Sequence, residues 1–76
     1  MKIYDLIPVD GRKSFNGKAQ VHIDDNGEET LYSYNTPILK RLVDGTLIKL
    51  YDGWTATTGL HIKAFCGLDK KAYMAL

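Results

Sequence analysis

Sulfur, proline and histidine are all scarce in this chain of 76 residues, which holds one cysteine, two prolines and two histidines. The lone Cys66 excludes an internal disulfide framework, and beside Ala64 and Phe65 it reads as a small buried hydrophobe. His22, His61 and Cys66 show no paired spacing, so they supply no converging donor set for a metal, and no cofactor is expected. Asp52-Gly53-Trp54-Thr55 is neither a P-loop nor a dinucleotide fingerprint. Charge of one sign is lacking too: ten Lys and Arg against nine Asp and Glu leave a formal net charge of +1, no overall field to hold a polyanion. No stretch approaches the roughly 20 apolar residues of a membrane span. The opening MKIYDLIPVD has no run long enough for a signal-peptide core, so a cytoplasmic location is expected.

What the chain has in quantity is turns. Asp10-Gly11, Asn16-Gly17, Asn26-Gly27, Asp44-Gly45 and Asp52-Gly53 follow one another at short intervals. Asn and Asp tolerate left-handed backbone and Gly adopts it freely, so such pairs mark hairpins. Between them, Lys18 to Asp24 alternates with Ala19, Val21 and Ile23 on one face. Glu29 to Asn35 returns with Leu31 on one face and Tyr32 and Tyr34 on the other, and Ile38 to Val43 pairs with Thr46 to Tyr51 across Asp44-Gly45. Pro37, which has no amide donor, marks a strand entry or an edge. Residues 2 to 9 add either an edge strand with Ile3 inward, the preferred reading, or a tied-down arm, followed by a loop carrying Arg12, Lys13 and Phe15.

The period changes after Tyr51. Thr57 and Thr58 are suited to cap a helix, and Leu60, Ala64 and Leu68 follow at spacing four, which predicts a helix from about Thr58 to about Cys66 facing the sheet with that stripe. Gly67 suits its end, and Asp69 opens a second short helix toward Leu76. The expected fold is a single α+β domain over residues 1–76: an antiparallel meander of three to five strands with one or two short C-terminal helices on one face.

Three runs, DLIPVDGRKSFNGKA, LYSYNT and LYDGWTATTGLHIKAF, carry a resemblance that spans nearly the whole chain. Their pattern resembles a family of short, uncharacterised proteins of bacteriophages, prophages and mobile elements, with GRKSFxGKA, SYNT and GWTATTxxHIxxF segments matched here by Gly11 to Phe15, Ser33, Tyr34, Thr36, Trp54, Thr57, Thr58, His61 and Phe65. The chain departs from it at Gly59 and in a shortened link between the helices. The resemblance implies a bacterial host cell and a small protein that binds and blocks a host defence complex such as a CRISPR effector, an anti-CRISPR-like inhibitor.

The residues themselves point to contact, with no catalytic set. Thr57 and Thr58 lie within a helical turn of His61, but a nucleophile also needs an orienting group and an oxyanion site. Candidate partner-binding residues are Arg12, Lys13, Phe15, Tyr32, Tyr34, Asn35, Lys49, Tyr51, Trp54 and His61, because aromatics and Arg are over-represented among binding hot spots. Trp54 is expected to seal the corner of sheet and helix, and His61 to be hydrogen-bonded; each is also a contact candidate. A host protein or protein complex is the expected partner, a homodimer is allowed, and no membrane is involved. The alternative is a nucleic-acid module in which outward tyrosines join Arg12, Lys13, Lys18, Lys40, Arg41 and Lys49.

Overall fold

The computed structural model describes residues 1–8, 15 and 17–76. One five-stranded antiparallel sheet runs in sequence order, β1 (Lys2–Asp5), β2 (Ala19–Ile23), β3 (Glu29–Ser33), β4 (Thr36–Arg41) and β5 (Leu47–Lys49), followed by helices α1 (Ala56–Cys66) and α2 (Lys70–Met74); of the Asx-Gly pairs, Asn26-Gly27 and Asp44-Gly45 join strands, Asp52-Gly53 lies between β5 and α1, and Asp10-Gly11 falls outside the described residues. The α+β meander expected from the sequence is the fold.

Register decides which side chains meet the helices. Tyr4, Val21, Leu31, Leu39 and Lys49 form one row across all five strands. Val21, Leu31 and Leu39 at its centre are fully buried with Ile62, Phe65 and Tyr73 of the helices, so this is the covered face. Ile3 pairs with His22 one position out of phase and lies 55% exposed on the other face, which corrects its expected inward placement. On that open face His22 and Tyr32 stack with ring centroids 4.0 Å apart.

Pairing between β3 and β4 shifts between Leu31 and Tyr32, leaving Ile38 as an extra residue between Pro37 and Leu39. A bulge of this kind breaks the strict alternation of sides. Both Ile38 and Leu39 enter the core as a result. The strand therefore starts at Thr36, two residues earlier than the apolar pattern suggested. Pro37 is tolerated because β5 stops short of it: the last contacts are the Leu39–Lys49 pair and the Leu50 amide donating to the Ile38 carbonyl at 2.9 Å.

The helix is capped two to three residues earlier than the threonine pair implied. Thr55 is extended (φ −125°, ψ 164°) and its Oγ1 accepts from the Thr58 amide at 3.1 Å, so Thr57 and Thr58 belong to the first turn. The buried stripe is Thr58, His61, Ile62 and Phe65, whereas Leu60 and Ala64 pack at its flank. One residue along a helix turns the side chain by about 100°, so with His61 and Phe65 facing the sheet, Leu60 and Ala64 lie beside them and are only partly covered. Gly67 (φ 80°) ends α1 with its amide on the Lys63 carbonyl, and Asp69 caps α2 through the Ala72 amide at 2.8 Å. A five-residue helix has little stability of its own. Tyr73 anchors it: fully buried, its hydroxyl reaches the Ile38 carbonyl at 3.0 Å and the Tyr51 carbonyl still more closely, and burial pushes its pKa up. Cys66, expected to be buried, is only partly so and packs against the core, and that burial raises its thiol pKa.

Candidate functional site

The sheet has two unlike ends. At one, β2–β3 and β4–β5 connect through matching turns: Asp24 and Glu28, like Leu42 and Thr46, close loops whose last residues, Gly27 and Gly45, are left-handed at φ 86° and 92°. Asp24 Oδ1 accepts from the Asn26 and Glu28 amides, and Asp44 Oδ1 from the Thr46 amide. That last bond holds the Asp44 carboxyl below its ordinary pKa. The side chains beside these turns are paired: Arg41 holds Glu29 by two bonds at 3.0 and 3.2 Å, lies 4.4 Å over the Phe65 ring and reaches the Phe65 carbonyl near the end of α1. Lys40 binds Glu28 at 2.9 Å.

The other end is where α1 begins, and there β3 turns into β4 without glycine. Tyr34 (φ 52°) and Asn35 (φ 71°) carry the turn, both left-handed. Asn does this readily, but a bulky aromatic rarely does, at a cost of order 1 kcal/mol. Tyr34 thus leaves the strand pattern, and the expected outward row of Tyr32 and Tyr34 does not form. Tyr32 stays on the open face, while the 53% exposed Tyr34 ring sits at the sheet end, 6.0 Å from the His61 ring, with the Lys18 ammonium 5.7 Å from its centroid.

Between this turn and α1 lies a cleft of about 320 Å³. Ser33, Thr36 and Ile38 form its strand wall, and Thr55, Thr57 and Thr58 its helix wall; Tyr34 and Tyr51 complete it. Beneath it, Ser33 Oγ and His61 Nδ1 are 2.8 Å apart, both buried, and Phe15 meets the His61 ring edge-on at 4.5 Å. A polar pair in the core stands only when each satisfies the other, so this bond fixes β3 against α1. Thr55 Oγ1 donates in turn to Thr58 Oγ1 at 3.0 Å.

The residues singled out from sequence fall into distinct places. Tyr34, Asn35 and Tyr51 gather at this end, with Tyr34 and Tyr51 lining the cleft. Phe15 and His61 lie in the core, 7% and 1% exposed, and present little surface to a partner. Trp54 is half-buried, its ring 5.6 Å from that of Tyr73 and so close to Gly59 that a Cβ there would stand 2.5 Å from the indole. It is the corner seal that the sequence led us to expect, and Gly59 makes room for it. Lys49 is engaged within the chain, with the Met74 carbonyl at 3.3 Å and Asp52 at 3.8 Å. Arg12 and Lys13 lie outside the described residues. Sequence reasoning missed Ser33, Thr36 and Thr55. Ser33 and His61 did leave a signal, since each is a polar residue placed on an apolar stripe, and two such residues in one small core have reason to meet.

Among the described residues no group of three or more His, Cys, Asp or Glu side chains could hold a metal, and no helix is long and apolar enough to cross a membrane. Comparison with curated proteins and with solved structures finds no match in either. The family model that matches does so over residues 1–74, and the chain therefore belongs to the family of unknown function DUF8033.

Proposed function

We propose that the chain is a non-enzymatic binding module whose partner is a protein, docked on the sheet end built by the Tyr34-Asn35 turn and the adjoining cleft. The observation that carries this reading is Tyr34: a large, half-exposed aromatic in a left-handed turn position where Gly or Asn would sit at lower cost. Strain retained in an exposed side chain points to a role outside the fold. A tyrosine presented on a tight turn offers a large contact area with little entropy to lose, the usual make-up of an interface anchor. The partner is taken to be a host complex, and the activity its inhibition or modulation, on the sole ground of the phage-type resemblance of the sequence. Ion pairing weighs against the nucleic-acid alternative, because Lys40, Arg41 and Lys49 already face carboxylates.

Affinity capture from bacterial lysate tests the reading, with and without nuclease, using the wild type and Tyr34→Asn, which suits the left-handed position. A protein held by the wild type after nuclease and released by the variant is the expected result. Capture that depends on nucleic acid, or that survives Tyr34→Asn unchanged, would overturn it.

A further inference from the structure

The sheet leaves one edge open. All four residues of β1 are exposed, its register with β2 is continuous, and it contains neither proline nor bulge, two of the devices that keep a sheet edge from pairing with another chain. The opposite edge uses a third device, since β5 is only three residues long. The bonding groups of β1 divide by parity. The Leu6 amide donates to the Ala19 carbonyl at 2.9 Å, and in an antiparallel ladder every second residue bonds the same way, so Tyr4 and Lys2 also turn their amides and carbonyls to β2. Ile3 and Asp5 point theirs outward. Among the described residues no hydrogen bond reaches these four groups.

Symmetry and charge together select the occupant. Two copies joined edge to edge share a twofold axis normal to the sheet, and such an axis sets one residue of β1 opposite itself. With Lys2 opposite Lys2, or Asp5 opposite Asp5, like charges face each other across the strands. With Tyr4 opposite Tyr4, each Asp5 carboxylate stands against an apolar Ile3. With Ile3 opposite Ile3, every pair is compatible. The two exposed Ile3 side chains meet on the open face, each Lys2 lies beside the Tyr4 ring of the other copy on the helix side, and Asp5 falls against Met1. The outward amides and carbonyls of the two Ile3 residues then bond each other. A formal net charge of +1 puts little long-range repulsion between the copies.

We infer that the open edge of β1 pairs with β1 of a second copy of this chain, antiparallel and with Ile3 opposite Ile3, joining the two sheets into one. The Tyr34 turn lies between β3 and β4, away from this edge, so the dimer leaves it free in both copies. So short a contact buries less than the roughly 1,200 Å² of a stable interface, and the dimer is reversible, half-formed at a concentration of order 10⁻⁴ M.

Sedimentation equilibrium of the whole chain from about 10 μM to about 1 mM tests the inference, and the wild type should pass from monomer to dimer within that range. Ile3→Lys and Ile3→Glu each set like charges opposite each other and should weaken dimerisation at least about tenfold. An equimolar mixture of the two variants should regain association, because opposite charges then meet; a misfolded variant would not. In half-labelled wild type, an NOE from the Lys2 α proton of one copy to the Tyr4 α proton of the other reads the register without any substitution. A wild type that stays monomeric throughout, single variants that dimerise as the wild type does, a mixture no tighter than the variants alone, or an NOE joining the two Tyr4 α protons instead would overturn the assignment. Protein capture through Tyr34 is read separately, so either reading can fail while the other stands.

Discussion

The two ends of the sheet solve the same problem, reversing an antiparallel chain, with opposite means. Where β2 meets β3 and β4 meets β5, glycines supply the left-handed residue and carboxylates bind the loop amides. Every local preference there agrees with the conformation adopted. Where β3 meets β4, a tyrosine takes the left-handed position and no carboxylate supports the turn among the described hydrogen bonds. Beside that turn stand a buried Ser–His pair, a hydroxyl-lined cleft and the start of α1. Local preferences that conflict with the fold collect at one end, which is the pattern expected where function sets the sequence.

The largest effect is expected at the strut shared by the tyrosine end and α2. Tyr73→Phe removes a buried hydroxyl and leaves the Tyr51 carbonyl short of a donor, so stability should fall by about 2 kcal/mol. Urea denaturation measures this, with Trp54 fluorescence as reporter because its ring lies against Tyr73. A loss below about 0.5 kcal/mol would mean that the phenol is not what fixes α2. Next, Gly45→Ala tests the glycine end. A Cβ there meets nothing within 4 Å, so the change isolates the left-handed backbone, and about 1.5 kcal/mol should be lost with no effect on partner capture. A neutral result would remove the contrast in turn chemistry.

The capping residue is distinguished by a pair of variants. Thr55→Ala should cost about 1 kcal/mol, since it removes the acceptor for the Thr58 amide, whereas Thr57→Ala should stay within about 0.5 kcal/mol. Equal losses from the two would return the cap to the position the sequence first suggested.

These cases show what could be read in advance. The strands, their order and both glycine turns were legible, because alternation and Asx-Gly pairs are local signals and the structure obeys them. Gly67 and Asp69 were legible as helix boundaries for the same reason. Other features depend on contacts between distant segments. Choosing between the Leu60–Ala64 stripe and the His61–Ile62–Phe65 stripe requires knowing that Ser33 waits opposite His61. The bulge at Ile38 and the departure of Tyr34 from its strand break the period of two that placed Tyr32 and Tyr34 on one face. The cleft is made by residues from the strands and from α1, and nothing in either segment alone announces it.

If Tyr34 occupies its turn for the sake of contact and not for the fold, equilibrium unfolding of Tyr34→Asn will show it. Relief of the left-handed backbone, of order 1 kcal/mol, should offset what the half-exposed ring contributes by packing. The expected variant is as stable as the wild type or slightly more so, within about 0.5 kcal/mol, and no longer captures the partner. A variant destabilised by more than about 1.5 kcal/mol that still captures it would contradict the claim and make Tyr34 a folding residue.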